Sequence, residues 1–281
     1  MSGNVMKIGN VEVMALIDAE AKAPCSMLFP SIAQEAWEPY CEFLADDCKN
    51  LPMTIPTFLV RAGGKTMIID SGIGAKDRPM FPSGRLPDVL KEINVRPEEI
   101  DVVVATHIHI DHVGWHTTSD GKGGWRPTFP NAVHVFARAE FEYFTQPEVA
   151  NSPQIPWVND CVLPLVDVAK IELVDSEHHL TDELTRLPTP GHTPAHSAIV
   201  ISSGGESAVI IGDVCHHPAQ MMETGWSPIF DLDPGKAAES REKLMQRIEQ
   251  DGMRVIAGHF AHPGFGRLLR VDGKRTWMPG L

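Results

Sequence analysis

The stretch Thr106-His107-Ile108-His109-Ile110-Asp111-His112 constrains this chain more than any other. It follows the apolar run Ile100-Asp101-Val102-Val103-Val104-Ala105, which is short, β-branched and bounded by polar residues, and which reads as a buried strand. The fold must therefore end a strand where three imidazoles and a carboxylate emerge together. In a sheet-and-helix protein, reactive groups are displayed at such strand ends. Imidazole and carboxylate are the donors that zinc and similar cations accept. Extended backbone sends alternate side chains to opposite faces, so His107 and His109 point one way while Ile108 packs the other.

Hairpins and helices alternate along the rest of the chain. Residues 6–16 read as a hairpin with its turn at Gly9-Asn10. Residues 57–61 and 65–70 form a second hairpin across Ala62-Gly63-Gly64. A short helix is expected over 85–93, where Leu86, Val89, Leu90 and Ile93 share a face. Residues 132–136 read as a strand and 137–144 as a helix. Further strands are expected at 170–174, 184–187, 197–201, 207–212 and 254–257. The clearest helix is 234–250: Asp233 fits a cap, Pro234 a first position and Gly252 a stop. Residues 18–53 show no clear period and carry several prolines and aromatics. They read as a long excursion that serves as a pocket wall, a dimer contact or a flap packed on the core.

With 281 residues and 43% hydrophobic content the chain can bury a large core, and 1–281 reads as a single domain. The net charge of −13 and the lack of any Lys/Arg run disfavour a nucleic-acid partner. No apolar run reaches the ~18 residues of a membrane span, and Met1–Lys7 has no signal-peptide pattern, so a cytoplasmic location is expected. Cys25, Cys41, Cys48, Cys161 and Cys215 are odd in number and contain no C-x-x-C, which argues for free thiols rather than a disulfide framework.

The His-x-His-x-Asp-His stretch resembles that of the metallo-β-lactamase-fold hydrolases, and four further elements follow the order of that superfamily. They are Ile69-Asp70-Ser71-Gly72, Thr189-Pro190-Gly191-His192, Ile211-Gly212-Asp213 and Ala257-Gly258-His259. The resemblance implies a four-layer αββα sandwich with two mixed β-sheets. Seven donors exceed what one zinc takes, so two cations sharing one ligand are implied. By resemblance, His107, His109 and His192 hold one, Asp111, His112 and His259 hold the other, and Asp213 bridges them. The cations are expected to be zinc, with manganese, cobalt or iron as alternatives. A hydroxide shared between them would attack an ester, lactone or phosphotriester.

Asp70 and His196 are expected to orient ligands from behind. Asp111, Asp213 and His216 are expected to act in catalysis. His216 stands three residues after the bridging Asp, where quorum-quenching lactonases carry Tyr and methyl parathion hydrolase-like members carry His. A small, fairly apolar substrate is expected if Phe29, Trp37 or Trp226 line the pocket. The alternatives are a glyoxalase II-like thioesterase, a β-lactam hydrolase, a flavodiiron-like reductase and a non-catalytic metal-binding scaffold. A homodimer is implied by the resemblance alone. His116, His134, His178, His179 and His262 are expected to be structural or solvent-facing, and Cys215 a bystander.

Overall fold

A computed structural model of the chain describes residues 4–78 and 81–280. The first hairpin forms as its alternation predicts. Strand β1 (Val5–Ile8) turns at Gly9-Asn10 into β2 (Val11–Pro24), with Met6, Ile8, Val11 and Val13 buried. Next come β3 (Asn50–Ala62), β4 (Lys65–Ile69) and β5 (Val102–Val104). A separate two-stranded hairpin, β6 (Thr117–Ser119) with β7 (Trp125–Pro127), precedes β8 (Val133–Ala137) and β9 (Lys170–Val174). The first sheet runs β1-β2-β3-β4-β5-β8-β9. It is antiparallel up to β4 and parallel from β4 to β9.

The second sheet takes β10 (His178–His179), β11 (Leu184–Pro188), β12 (Ser197–Ser203), β13 (Glu206–Ile210), β14 (Arg254–Ile256), β15 (Phe265–Val271) and β16 (Lys274–Pro279), in that order. Only its β13–β14 pair is parallel, so both sheets are mixed.

The sheets face each other across one apolar core. Phe58, Val60, Ile69 and Val104 of the first meet Ile199, Ile201, Ile210 and Ile256 of the second. Each such side chain, fully buried, contributes about 1.5–3 kcal/mol. Leu86 and Leu90 of the helix Leu86–Glu92 cover Leu59, Ile68 and Val103 on the outer face of the first sheet. Leu244, Met245 and Ile248 of the helix Pro234–Asp251 cover Val200, Val209 and Val255 on the outer face of the second. The layers are thus helix, sheet, sheet, helix. The longest helix is punctuated as expected: the Asp233 carboxylate accepts the Lys236 N–H at 2.9 Å, and Gly252 ends it with φ of 60°. Among the described residues, no helix is long and apolar enough to cross a membrane.

Two expectations need correction. The 18–53 excursion is shorter than its missing period suggests, because β2 runs on to Pro24 and β3 starts at Asn50. The two strands pair over their full length past a register shift between Ile17 and Ala19, which is what hides the two-residue alternation. Only 25–49 leaves the sheet. Phe29 and Trp37 are fully buried there, packed with Tyr40 and Ala219, so these two rings hold the segment onto the core. The cysteines do not all remain free either: Cys41 and Cys48 form a disulfide. Asp46, Asp47 and Cys48 adopt left-handed backbone and fold this segment back, bringing the two Cα atoms within 4.9 Å. Odd parity excludes complete pairing, not one local pair. Cys25, Cys161 and Cys215 are free and buried, Cys215 within the core beneath the long helix.

Candidate metal centre

The strands that carry donors, β4 and β5 in one sheet and β11, β13 and β14 in the other, run the same way within their sheets and bring their carboxyl ends to one site. Asp70 follows β4, and His107 to His112 follow β5. His192 lies between β11 and β12, Asp213 follows β13 and His259 follows β14. His109 is the last extended residue, and the backbone then coils into the single turn Ile110–Val113, which carries Asp111 and His112. Extended and then coiled backbone lets one short stretch present donors in two directions.

The seven predicted ligands converge. Donor atoms of His107, His109, His192 and Asp213 lie within 4.8 Å of one another, as do those of Asp111, His112 and His259. Asp213 sits between the groups. Its Oδ2 is 3.3 Å from His192 Nε2 and 3.7 Å from His107 Nε2. Its Oδ1 is 3.2 Å from both His112 Nε2 and His259 Nε2. Asp111 Oδ2 is 3.4 Å from His259 Nε2.

Outer partners fix which ring nitrogen faces inward. His112 Nδ1 donates to Asp70 Oδ2 at 2.8 Å, His192 Nδ1 to Asp231 Oδ1 at 2.9 Å and His259 Nδ1 to the Thr54 carbonyl at 2.9 Å. Carboxylates and carbonyls only accept, so these rings hold a proton on Nδ1 and direct Nε2 at the centre. Asp70 also accepts the N–H and hydroxyl of Thr106, each at 2.8 Å, from a left-handed backbone with φ of 56°. His196 takes up the bridging residue differently: its Nε2 accepts the Asp213 N–H at 3.0 Å. Gly212 makes that contact feasible, since a Cβ there would sit 2.7 Å from His196 Nε2.

Burial pushes His107, His109 and His196 well below the ordinary imidazole pKa. Burial opposes charge on His259 as well, but the Asp213 and Asp111 carboxylates prevail and lift it to about 9. Burial likewise opposes the charge on Asp213, yet the surrounding imidazoles, His112 foremost, hold it well below the usual carboxylate range. His107 Nε2, His112 Nε2 and Asp213 Oδ1 are buried without a hydrogen-bond partner. Orphaned polar atoms of this kind are costly unless something else satisfies them. Carboxylates raise His112 and His192 against burial as well, so an arriving cation takes the place of the Nε2 protons. Imidazoles freed in this way and an ionised carboxylate aimed at one point are the donor set of divalent cations.

Asp231 was invisible to the sequence reading, although it holds His192 and is itself paired with the fully buried Arg241 at 3.2 Å. It lies 39 residues from His192, and no spacing links the two. The Thr54 carbonyl was equally hidden, because backbone acceptors carry no residue signal.

His216 sits with its Nε2 3.1 Å from Asp213 Oδ2 and its ring stacked on His259. Phe230 lies 6.1 Å from that ring. Ile229, Phe230 and Leu232 are exposed by 52%, 42% and 54%, and the Leu232 N–H bonds the His192 carbonyl. This loop, rather than Phe29 or Trp37, supplies apolar surface beside the centre. The other histidines stay away from it: His116 and His134 pair with each other, His178 faces Glu172 and His262 contacts Asn4.

Comparison with known proteins agrees with this geometry. Residues 52–259 match the metallo-beta-lactamase superfamily model. An N-acyl homoserine lactonase of Bacillus sp is 23% identical over 180 residues, 64% of either chain, so the match spans just under two-thirds of that relative. The N-acyl homoserine lactonase AttM of Rhizobium radiobacter is 24% identical over 233 residues, 73% of this chain and 81% of that one. Among solved structures, the hydrolase AbOPH of the beta-lactamase superfamily superposes with a TM-score of 0.84 at 26% identity, covering 99% of this chain and 97% of that one. AidC, a dizinc quorum-quenching lactonase, shares the fold with a TM-score of 0.85 at 21% identity, with coverage of 99% and 97%. With the family model spanning most of the chain and the strand-end donors in its order, this chain belongs to the metallo-beta-lactamase superfamily.

Proposed function

We propose that this protein is a hydrolase that uses two divalent cations to open a lactone or ester in a small substrate carrying an apolar group. The convergence of six buried or half-buried donors on Asp213 carries the reading. His107, His109 and His192 would hold one cation, and Asp111, His112 and His259 the other. Asp213 would offer one carboxylate oxygen to each. The nitrogen-rich set favours zinc, while manganese, cobalt and iron accept the same donors. Bound there, the pair supplies an acidified water and polarises the scissile oxygen.

The chain's own residues account for the remaining work. His216 Nε2, now 3.1 Å from Asp213, is the donor that a substrate oxygen beside the centre would meet as charge develops on it. Asp111, with its side chain 18% exposed, links the centre to solvent and can carry a proton outward. Ile229, Phe230 and Leu232 offer an apolar face worth about 25 cal/mol per Å² covered. The relatives named as acyl homoserine lactonases support the lactone class. His216, where such lactonases carry Tyr, favours a phosphotriester as the second class.

The test is turnover by metal-loaded protein on a p-nitrophenyl ester, a γ-lactone, an acyl homoserine lactone, methyl paraoxon, a cephalosporin and S-lactoylglutathione. Two metals per chain with lactone or ester cleavage is the expected result. Cleavage of the thioester or the cephalosporin alone would replace the proposed class, and fewer than one metal per chain would remove the mechanism.

A further inference from the structure

Glu140 belongs to none of the motifs, yet it is a carboxylate exposed by only 1% and placed behind the first group of donors. It lies in the helix Arg138–Phe144, which packs against the outer side of the first sheet. Its Oε1 accepts the Ile108 N–H at 3.0 Å, and its Oε2 accepts the Ala195 N–H at 2.9 Å. Ile108 is the residue between His107 and His109. Ala195 lies between His192 and His196, and its carbonyl is held from the other side by Arg186 at 2.8 Å. Trp157 Nε1 similarly holds the Ile108 carbonyl at 3.0 Å. One carboxylate thus ties together two loops that come from different sheets and that carry all three histidines of one cation cradle. It touches nothing in the Asp111, His112 and His259 group.

We propose that Glu140 is a positioning residue that sets the spacing of the His107, His109 and His192 cradle and thereby its cation affinity, leaving the other cradle unaffected. The inference rests on the two-cation reading above. The chemistry of the contact is demanding. Only a carboxylate offers two acceptor oxygens to two converging N–H groups. In Glu140→Gln the amide NH2 must face one of those donors, so a buried N–H loses its partner and the loops separate. In Glu140→Asp the stem is one carbon shorter and can reach only one loop. Removal of groups that support metal ligands from behind typically weakens metal binding by about 10–100-fold.

The experiment is titration of chelator-stripped wild type, Glu140→Gln, Glu140→Asp and a control, Asp18→Asn, with Zn2+ by competition against a chromophoric chelator. The visible spectrum is recorded in parallel during Co2+ titration. Asp18 is another buried carboxylate, but it holds the Ile73, Gly74 and Leu86 N–H groups instead. In Glu140→Gln one of two Zn2+ sites should weaken by about 10–100-fold, the other should stay within about twofold, and the Co2+ bands of the weakened site should shift. Glu140→Asp, which also keeps only one of the two bonds, should weaken the same site, and serves alone if the Gln variant does not fold. Asp18→Asn should lose thermal stability without separating the two sites. Equal weakening of both sites in step with melting temperature, or no weakening, would overturn the inference. Wild type binding fewer than two ions would instead overturn the reading beneath it.

Discussion

The two halves of the molecule deliver donors to the same point in different ways. In the first half a single loop after β5 supplies His107, His109, Asp111 and His112. In the second, three separate strand ends supply one donor each: His192, Asp213 and His259. Where donors are covalent neighbours, the backbone sets most of their geometry. Where each arrives alone, its orientation rests on its own partner from behind: Asp231 for His192, His196 for Asp213 and the Thr54 carbonyl for His259. The second half should therefore be the more sensitive to loss of supporting residues, although it looks the less specialised in sequence.

The largest effect is expected at the residue through which the halves meet. Asp213→Ala removes the carboxylate shared by both donor groups and should lower kcat/KM by at least about 10⁴-fold, or about 5.5 kcal/mol. Metal content should fall below two per chain on the same samples. Retention of two tightly bound ions with near-normal turnover would show that the donor groups do not need their bridge.

The comparison itself is tested by removing one supporting carboxylate from each half. Asp231→Ala leaves the fully buried Arg241 guanidinium its Val214, Thr224 and Trp226 carbonyls but no counter-charge, and should destabilise the fold by about 3–5 kcal/mol. Asp70→Ala leaves the Thr106 N–H, the Thr106 hydroxyl and His112 Nδ1 without their acceptor, but strands no buried guanidinium, and should cost less, about 1–3 kcal/mol. Urea unfolding of the two variants gives the ranking directly. A larger loss in Asp70→Ala would reverse the asymmetry and make the compact loop the fragile one.

The same asymmetry governs what could be read from sequence. His107 to His112 announce themselves because the donors sit within one strand-to-turn passage, and local spacing survives folding unchanged. His192, Asp213 and His259 are ordinary as single residues and gain meaning only as an ordered set. Asp231 and Glu140 could not be found, since their partners lie 39 residues away for one, and 32 and 55 for the other, with no periodicity connecting them. The core strands were legible from alternation and β-branching. β2 beyond Ile17 was not, because the register shift there breaks the alternation that marks a strand.

A smaller effect separates histidines that serve the centre from histidines that merely neighbour its loop. His116 follows the β5 donors by four residues, yet it turns away and meets His134 of β8, their Nδ1 atoms 2.7 Å apart. Burial pushes His134 down to about 4, and burial, with repulsion between its own proton and one on His134 and from the Lys76 charge, pushes His116 well below its ordinary value. Both rings are therefore neutral in the fold, whereas in the unfolded chain they titrate near 6.5. As pH falls below about 6.5 the unfolded chain takes up protons that the fold refuses. The stability these residues lend is thus complete above that pH and is lost progressively as pH approaches 4. For His134 the loss amounts to at most about 3 kcal/mol. His259 acts in the opposite sense in metal-free protein, since its raised pKa favours the fold below 6.5 and that gain disappears as pH rises through about 9. A difference measurement separates the two: urea midpoints of metal-stripped wild type and His134→Leu, compared at pH 7, 6 and 5. Wild type should lose more stability than the variant over this range. Parallel curves would mean that His134 takes up its proton as readily in the fold as in the unfolded chain, and that the first half owes nothing to a neutral imidazole there.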